Sequence, residues 1–400
     1  MNPSINKYSM HVFMFVFYIS NASFVPFLSY WFSQKGLSNQ QIGFLYSLGP
    51  LIGLAAQTVW GYLSDRYGIG KRLLMVSLML TPIVTFGYLL GKERFYMYII
   101  VSAVYFFLSL AVRPNMEEIT LSHARANGQS YGGIRVLGSV SFALTVTPLG
   151  IMYNHLGINM IFVTYLVTSL IALLALLQVK PSSEGKKAKT NAMAAGFRQL
   201  ATNRYFVVFL LSAFLIGLAN GFNMVFFPLL VNKLGGEVAQ ELGVLSTVSA
   251  LSELPLFILS AYLLRRFGYF NVLAFCAGAA TLRWFVLSLE PTFQLLFMSQ
   301  MLHGITFGLY TAAAVNFIYE MSPGGLKATG QTIFAIIAGS LASLIASSSG
   351  GWIIDHYDFN VLYTIGSVLA LISSCIFIGM SIIHKKSSQG LRNKKTLNLT

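Results

Sequence analysis

The chain alternates long apolar runs with short polar breaks. The runs fall at roughly 9–32, 41–63, 73–91, 95–121, 132–153, 159–179, 205–231, 241–264, 271–289, 292–320, 328–353 and 360–384. A helix rising 1.5 Å per residue needs roughly 17 to 25 residues to cross a hydrocarbon core about 30 Å thick, and each run is long enough. They are too long and too uniformly apolar for the alternating strands of a membrane barrel. The pattern predicts an all-α membrane protein with 12 transmembrane helices, because a helix satisfies its own backbone polar groups in lipid. The first run, Tyr8 to Phe32, exceeds a signal-peptide core and lacks a small-residue cleavage site, so it is expected to be retained. The one long polar stretch, 180–204, reads as a solvated linker. It divides the chain into a bundle at 1–179 and a second at 205–400, the latter ending in a basic tail.

Composition agrees: 56% of the 400 residues are hydrophobic and 10% charged, against about 25% charged in soluble domains. The net charge of +14 is distributed in a way that excludes a nucleic-acid reading. The even-numbered connections and the two termini carry 19 Lys and Arg, whereas the odd-numbered connections carry four, Lys35, Lys92, Arg94 and Lys233. That asymmetry predicts a multi-pass protein of the cell membrane with both termini in the cytoplasm. Cys276 and Cys375 are the only cysteines, so no disulfide framework is expected. Without a P-loop, a zinc-type His pair or a Cys cluster, ATP-driven transport by this chain alone is disfavoured; no enzyme activity, cofactor or metal is expected.

An internal repeat at an offset of 200 residues organises the rest. "GYLSDRYGIGKRLLM" from Gly61 matches "AYLLRRFGYFNVLAF" from Ala261, with Tyr62/Tyr262, Arg66/Arg266 and Gly68/Gly268 in register. Upstream, Gly43/Gly243 and Leu45/Leu245 also coincide. Two parallel six-helix repeats form a transporter architecture with its site near the midplane between them.

Ionisable residues inside such runs are candidates for function. Glu253, Arg283 and His303 lie 12, 12 and 11 residues into their helices, about 17 to 18 Å along the axis and so near the membrane centre. In "SLAVRPNMEEITL", Arg113 is about 27 Å along the fourth helix, and Arg135 is one turn into the fifth. Depth alone leaves the group Arg113, Glu117, Glu118 and Arg135 open between the interface and a central site. Asn21, Asn220, Asn223, Gln57 and Tyr310 are polar positions fit either to line a cavity or to join helices by hydrogen bonds.

"GYLSDRYGIGKR" resembles the loop signature between the second and third helices of the major facilitator superfamily, which implies a conformational role for Gly61, Asp65, Arg66, Gly68 and Arg72. Here Gly61 would permit close helix approach and Gly68 a tight turn. Arg265 stands where the second copy would have an aspartate. "YGGIRVLGSVSFAL" is similar to the fifth-helix motif of the lactose-permease and phenylpropionate-permease branches. "LRWF", "QMLHGITFGLYTAA", "SPGGLKATGQ" and Glu253-Leu254-Pro255 look closer to the phenylpropionate group, and the likeness covers nearly the whole chain.

The resemblance implies that Arg135 binds substrate and that Glu117 pairs with it. Phe142, Asn21 and Gln300 would line the substrate site, while Glu253, Arg283 and His303 would form the proton-coupling network. Arg113 shares a face with Glu117 by its four-residue spacing, and Glu118 points elsewhere. Three departures matter. Thr306 replaces the glutamate that follows the histidine, Phe142 replaces a tryptophan, and Gly133 replaces the first arginine of the fifth-helix motif; lactose is therefore not the expected substrate. The function expected is a secondary active transporter, a proton symporter of a small organic solute (aromatic acid, nucleoside or glycoside). Its partners would be solute, protons and the lipid bilayer, and a monomer is expected. Proton-driven efflux of amphipathic compounds is the alternative, ahead of a non-transporting receptor.

Overall fold

A computed structural model describes residues 3–91, 94–110, 112–179, 200, 202–322 and 326–397. Twelve helices long and apolar enough to span a membrane occur among them. They are α1 (Lys7–Gln34), α2 (Asn39–Ser64), α3 (Gly70–Leu90), α4 (Phe95–Ala126), α5 (Tyr131–Leu156) and α6 (Met160–Leu177), then α7 (Arg204–Leu234), α8 (Val238–Phe267), α9 (Tyr269–Leu287), α10 (Phe293–Met321), α11 (Thr329–Tyr357) and α12 (Phe359–Ile383). Each predicted run corresponds to one of them. All but a few residues of the predicted 180–204 linker lie outside the described residues.

Local signals set the helix ends. Ser38 caps α2 through a capping box with Gln41, and Asn203 accepts from the Tyr205 and Phe206 amides at the start of α7. Helix α2 runs on to Tyr67 and ends at Gly68, whose φ of +63° is the left-handed conformation glycine tolerates. A Cβ at Gly61, by contrast, would meet nothing within 4 Å. The close helix approach expected there is not made among the described residues, because Gly61 borders a small cavity between α2 and α4.

The two six-helix bundles meet along two seams, α2 against α11 and α5 against α8. The repeat explains them. Gly43 lets α2 lie on the Ser347 carbonyl of α11, and Gly243, its counterpart 200 residues later, lets α8 lie on Val146 and Thr147 of α5. Each seam has a second glycine from the other side: Gly351 against the Asn39 carbonyl and Gly150 against the Ala239 carbonyl. A Cβ at any of the four would collide with backbone of the opposite bundle.

Among the described residues, the hydrogen bonds between bundles lie in the half of the molecule away from the termini. Asp355 of α11 accepts from the amides of Asn39 (3.2 Å) and Gln40 (2.9 Å) and from Asn39 Nδ2 (2.8 Å), so it caps α2 from the other bundle. Thr147 and Thr247 share a bond of 2.7 Å, and Gln34, Asn232 and Ser33 link α1 with α7. Towards the termini, Gln57, Arg113, Glu117 and Glu118 are exposed. The bundles are thus closed at one face and parted at the other.

Candidate functional site

Helices α8, α9 and α10 bring the three deep charges together. Arg283 is fully buried, at 0% exposure. Its Nη2 donates to Gln300 Oε1 at 2.9 Å, and its Nη1 donates to Thr306 Oγ1 and His303 Nδ1, each at 3.0 Å. On the far side of the imidazole, His303 Nε2 lies 3.0 Å from Glu253 Oε1. Gln300 is itself anchored to α8, because Ser249 Oγ donates to the same Oε1 at 2.6 Å. The Phe307 ring stacks on His303 at 5.2 Å, fixing the imidazole plane.

This row assigns the protons. A guanidinium can only donate, so His303 Nδ1 must be the unprotonated acceptor. Nε2 then carries the hydrogen and donates to the Glu253 carboxylate. The imidazole is neutral and bridges a cation to an anion that do not touch. While Arg283 stays in place, a second proton has no free ring nitrogen to occupy. The Glu253 side chain is 18% exposed, against 20% for His303.

In the other bundle, Arg135 of α5 lies over the Tyr18 ring of α1, 4.8 Å from its centroid. Gly138 makes room for that ring, since a Cβ there would stand 2.5 Å from Tyr18 Cδ2. One guanidinium face is therefore covered and its edges are left free: among the described residues Arg135 donates no hydrogen bond to the protein. Glu117 of α4 is exposed, and Glu117, Arg135 and Arg113 all act electrostatically on Tyr131. The charges share a neighbourhood, yet no ion pair within 4.0 Å joins Glu117 to Arg135 among the described residues.

The remaining sequence candidates fall in several places. Asn21 is half-buried and donates to the Phe17 carbonyl. Phe142 is half-buried and packs on the core. Gln300 is buried, and its Oε1 accepts from both Arg283 and Ser249. Glu118 lines a small cavity of about 100 Å³ between α2 and α4, with Gln57, Gly61, Ser64 and Asn115. Arg66 hydrogen-bonds the Tyr62 hydroxyl, and Arg266 repeats the contact with Tyr262 at 2.5 Å; the sequence repeat is thus a repeat of contacts. Arg72 is exposed, and the Asp65 side chain lies outside what is described. Sequence reasoning missed Tyr18 and Ser249, and took Thr306 only as a lost carboxylate. Serines and a tyrosine in apolar helices give no signal until their neighbours are known.

Comparison with known proteins places these residues in context. The model of the MFS_1 like family matches residues 7–388. Among curated proteins, the uncharacterized transporter YwbF of Bacillus subtilis (strain 168) is 27% identical over 388 residues, covering 96% of this chain and 94% of its own. The maltose permease of Geobacillus stearothermophilus is 25% identical over 374 residues, covering 93% and 92%. A crystal structure of the nucleoside transporter NupG superposes with a TM-score of 0.82 at 17% identity, covering 95% of this chain and 99% of that one.

Proposed function

Because the chain belongs to the MFS_1 like family of major facilitator transporters, and so is a membrane transporter and not an enzyme, we propose that it is a proton-coupled symporter of a small, neutral, hydroxyl-rich solute. It acts by alternating access, in which the two bundles rock about a midplane site. The 19-to-four distribution of Lys and Arg supports a cell-membrane protein with both termini in the cytoplasm, so the parted face opens inward.

The observation that carries the reading is the row Gln300–Arg283–His303–Glu253. Protonation of Glu253 cancels the anion that Arg283 faces across the imidazole. The arginine is then drawn less strongly towards α8, and a change in the packing of α8, α9 and α10 is coupled to one proton. In the other bundle, a solute must satisfy one cation and one carboxylate that do not satisfy each other. A hydroxylated solute does this, accepting from Arg135 and donating to Glu117, whereas an aromatic acid would leave Glu117 facing a like charge. The names of two relatives, the maltose permease of Geobacillus stearothermophilus and a xanthosine permease of Escherichia coli (strain K12), support a glycoside or a nucleoside.

Proteoliposomes test the reading. Solute entry should acidify the lumen, efflux by antiport would reverse the sign, and a receptor would bind without flux. The Glu253→Gln variant should lose accumulation while keeping solute counterflow; unimpaired accumulation would remove Glu253 from the coupling.

A further inference from the structure

The hydrogen-bond ladder of α10 is interrupted beside the histidine. An α-helical stretch, Phe293–Met301, is followed by a turn at Leu302 and then by six residues of π-helix, Gly304–Leu309. A π-turn is in effect one residue inserted into an α-helix, so it rotates the residues on one side relative to the other by about 100°. Such a break frees a main-chain N–H, which needs a partner in a membrane interior. The Gly304 amide finds one on another helix, donating to Ser252 Oγ of α8 at 2.8 Å. The Ser252 hydroxyl in turn donates to the Ser249 carbonyl at 2.7 Å. Residue 304 is glycine for a steric reason, since a Cβ there would run into the Ser252 carbonyl.

Both ends of this contact adjoin the charged row: Ser252 precedes Glu253 on α8, and Gly304 follows His303 on α10. We propose that Ser252 is a positioning residue for proton coupling. Its hydroxyl holds the π-turn of α10 in register, and that register lets one imidazole reach Glu253 and Arg283 together. If the turn relaxes to α geometry, His303 rotates about the helix axis by about 100° and one of its two bonds is lost. The link to coupling rests on the symport reading above. The orientation of His303 does not depend on it, and nitrogen spectra read that orientation directly.

Full-length protein carrying ¹⁵N-labelled histidine is reconstituted in bilayers, and the His303 nitrogen signals are assigned by their loss in His303→Gln. The parent should show one accepting and one protonated nitrogen, Nδ1 and Nε2. Ser252→Ala should lose this pattern, and Ser252→Thr, which keeps the hydroxyl, should retain it. Gly304→Ala displaces the same contact from the α10 side and should reproduce the Ser252→Ala spectrum, which supplies a reading if Ser252→Ala does not fold. Parental nitrogen signals in Ser252→Ala or in Gly304→Ala would overturn the proposal, as would a Thr variant as altered as Ala. In a parallel measurement, solute accumulation that survives collapse of the proton gradient in the parent would overturn the symport reading alone.

Discussion

Arg283 has no solvent contact, and its three acceptors, Gln300, Thr306 and His303, lie on a single neighbouring helix. Replacing it with methionine leaves the Glu253 carboxylate without its distant counter-charge. Loss of one partner from a buried charged network costs roughly 3–5 kcal/mol. Arg283→Met should therefore lower the unfolding temperature in detergent, and adding Glu253→Gln should recover part of the loss, since the unbalanced anion goes too. A flat double-mutant cycle would show that the two groups do not communicate through His303. Arg135 poses a different test. Lysine keeps its charge but not the planar face laid on Tyr18. A cation–π contact of about 0.5–1 kcal/mol predicts a two- to fivefold rise in the half-saturating solute concentration for Arg135→Lys. At the closed face, the hydrogen bond from Lys233 at 2.6 Å holds the Asp358 carboxyl below the usual carboxylate range. The folded state therefore binds that proton less readily than the unfolded chain does. The pair's contribution is complete above about pH 4 and is lost as pH falls through the folded value. With both side chains partly exposed it amounts to about 0.2–1 kcal/mol, so Asp358→Asn should make acid unfolding below about pH 4 slightly less steep.

Among the elements, helix existence and order were legible because each span announces itself by length and hydropathy. The repeat pair Gly43 and Gly243 was legible as a pattern but not as a contact, since nothing local says that both face the other bundle. The π-turn of α10 was not legible at all. Its residues suit an α-helix, and the choice is made by a serine some 50 positions earlier in the chain. Likewise, Glu253, Arg283 and His303 could be picked out by depth, but their link through the two imidazole nitrogens depends on how three helices rotate against one another. The seams make predictions of their own. Gly43→Leu adds a side chain where α2 meets the Ser347 carbonyl, and Asp355→Ala removes the acceptor for two amides of α2. Both should loosen the closed face. A single cysteine at Gln34, in a background lacking Cys276 and Cys375, should react faster with a membrane-impermeant maleimide in either variant. Unchanged labelling would mean that the seam is held elsewhere.

For the whole molecule, the bias of Lys and Arg among the connections was the clearest orientation signal in the sequence, and a protease site on the basic tail tests it: cleavage should occur in inverted vesicles and not in intact cells. Charge also bears on energetics. The buried row and the charges of the parted face, Arg113, Arg135 and Arg283 against Glu117, Glu118 and Glu253, balance one another, and the neutral His303 adds nothing to either side. On the proposed mechanism the empty carrier is therefore electrically silent, whereas the carrier holding a neutral solute and one proton bears a single positive charge. Membrane voltage then acts on only one of the two crossings. It assists the loaded one by up to about 2.3 kcal/mol per 100 mV and leaves the empty return alone. Hyperpolarising vesicles should accelerate uptake until the return step limits turnover, and the rate should then stop responding to voltage.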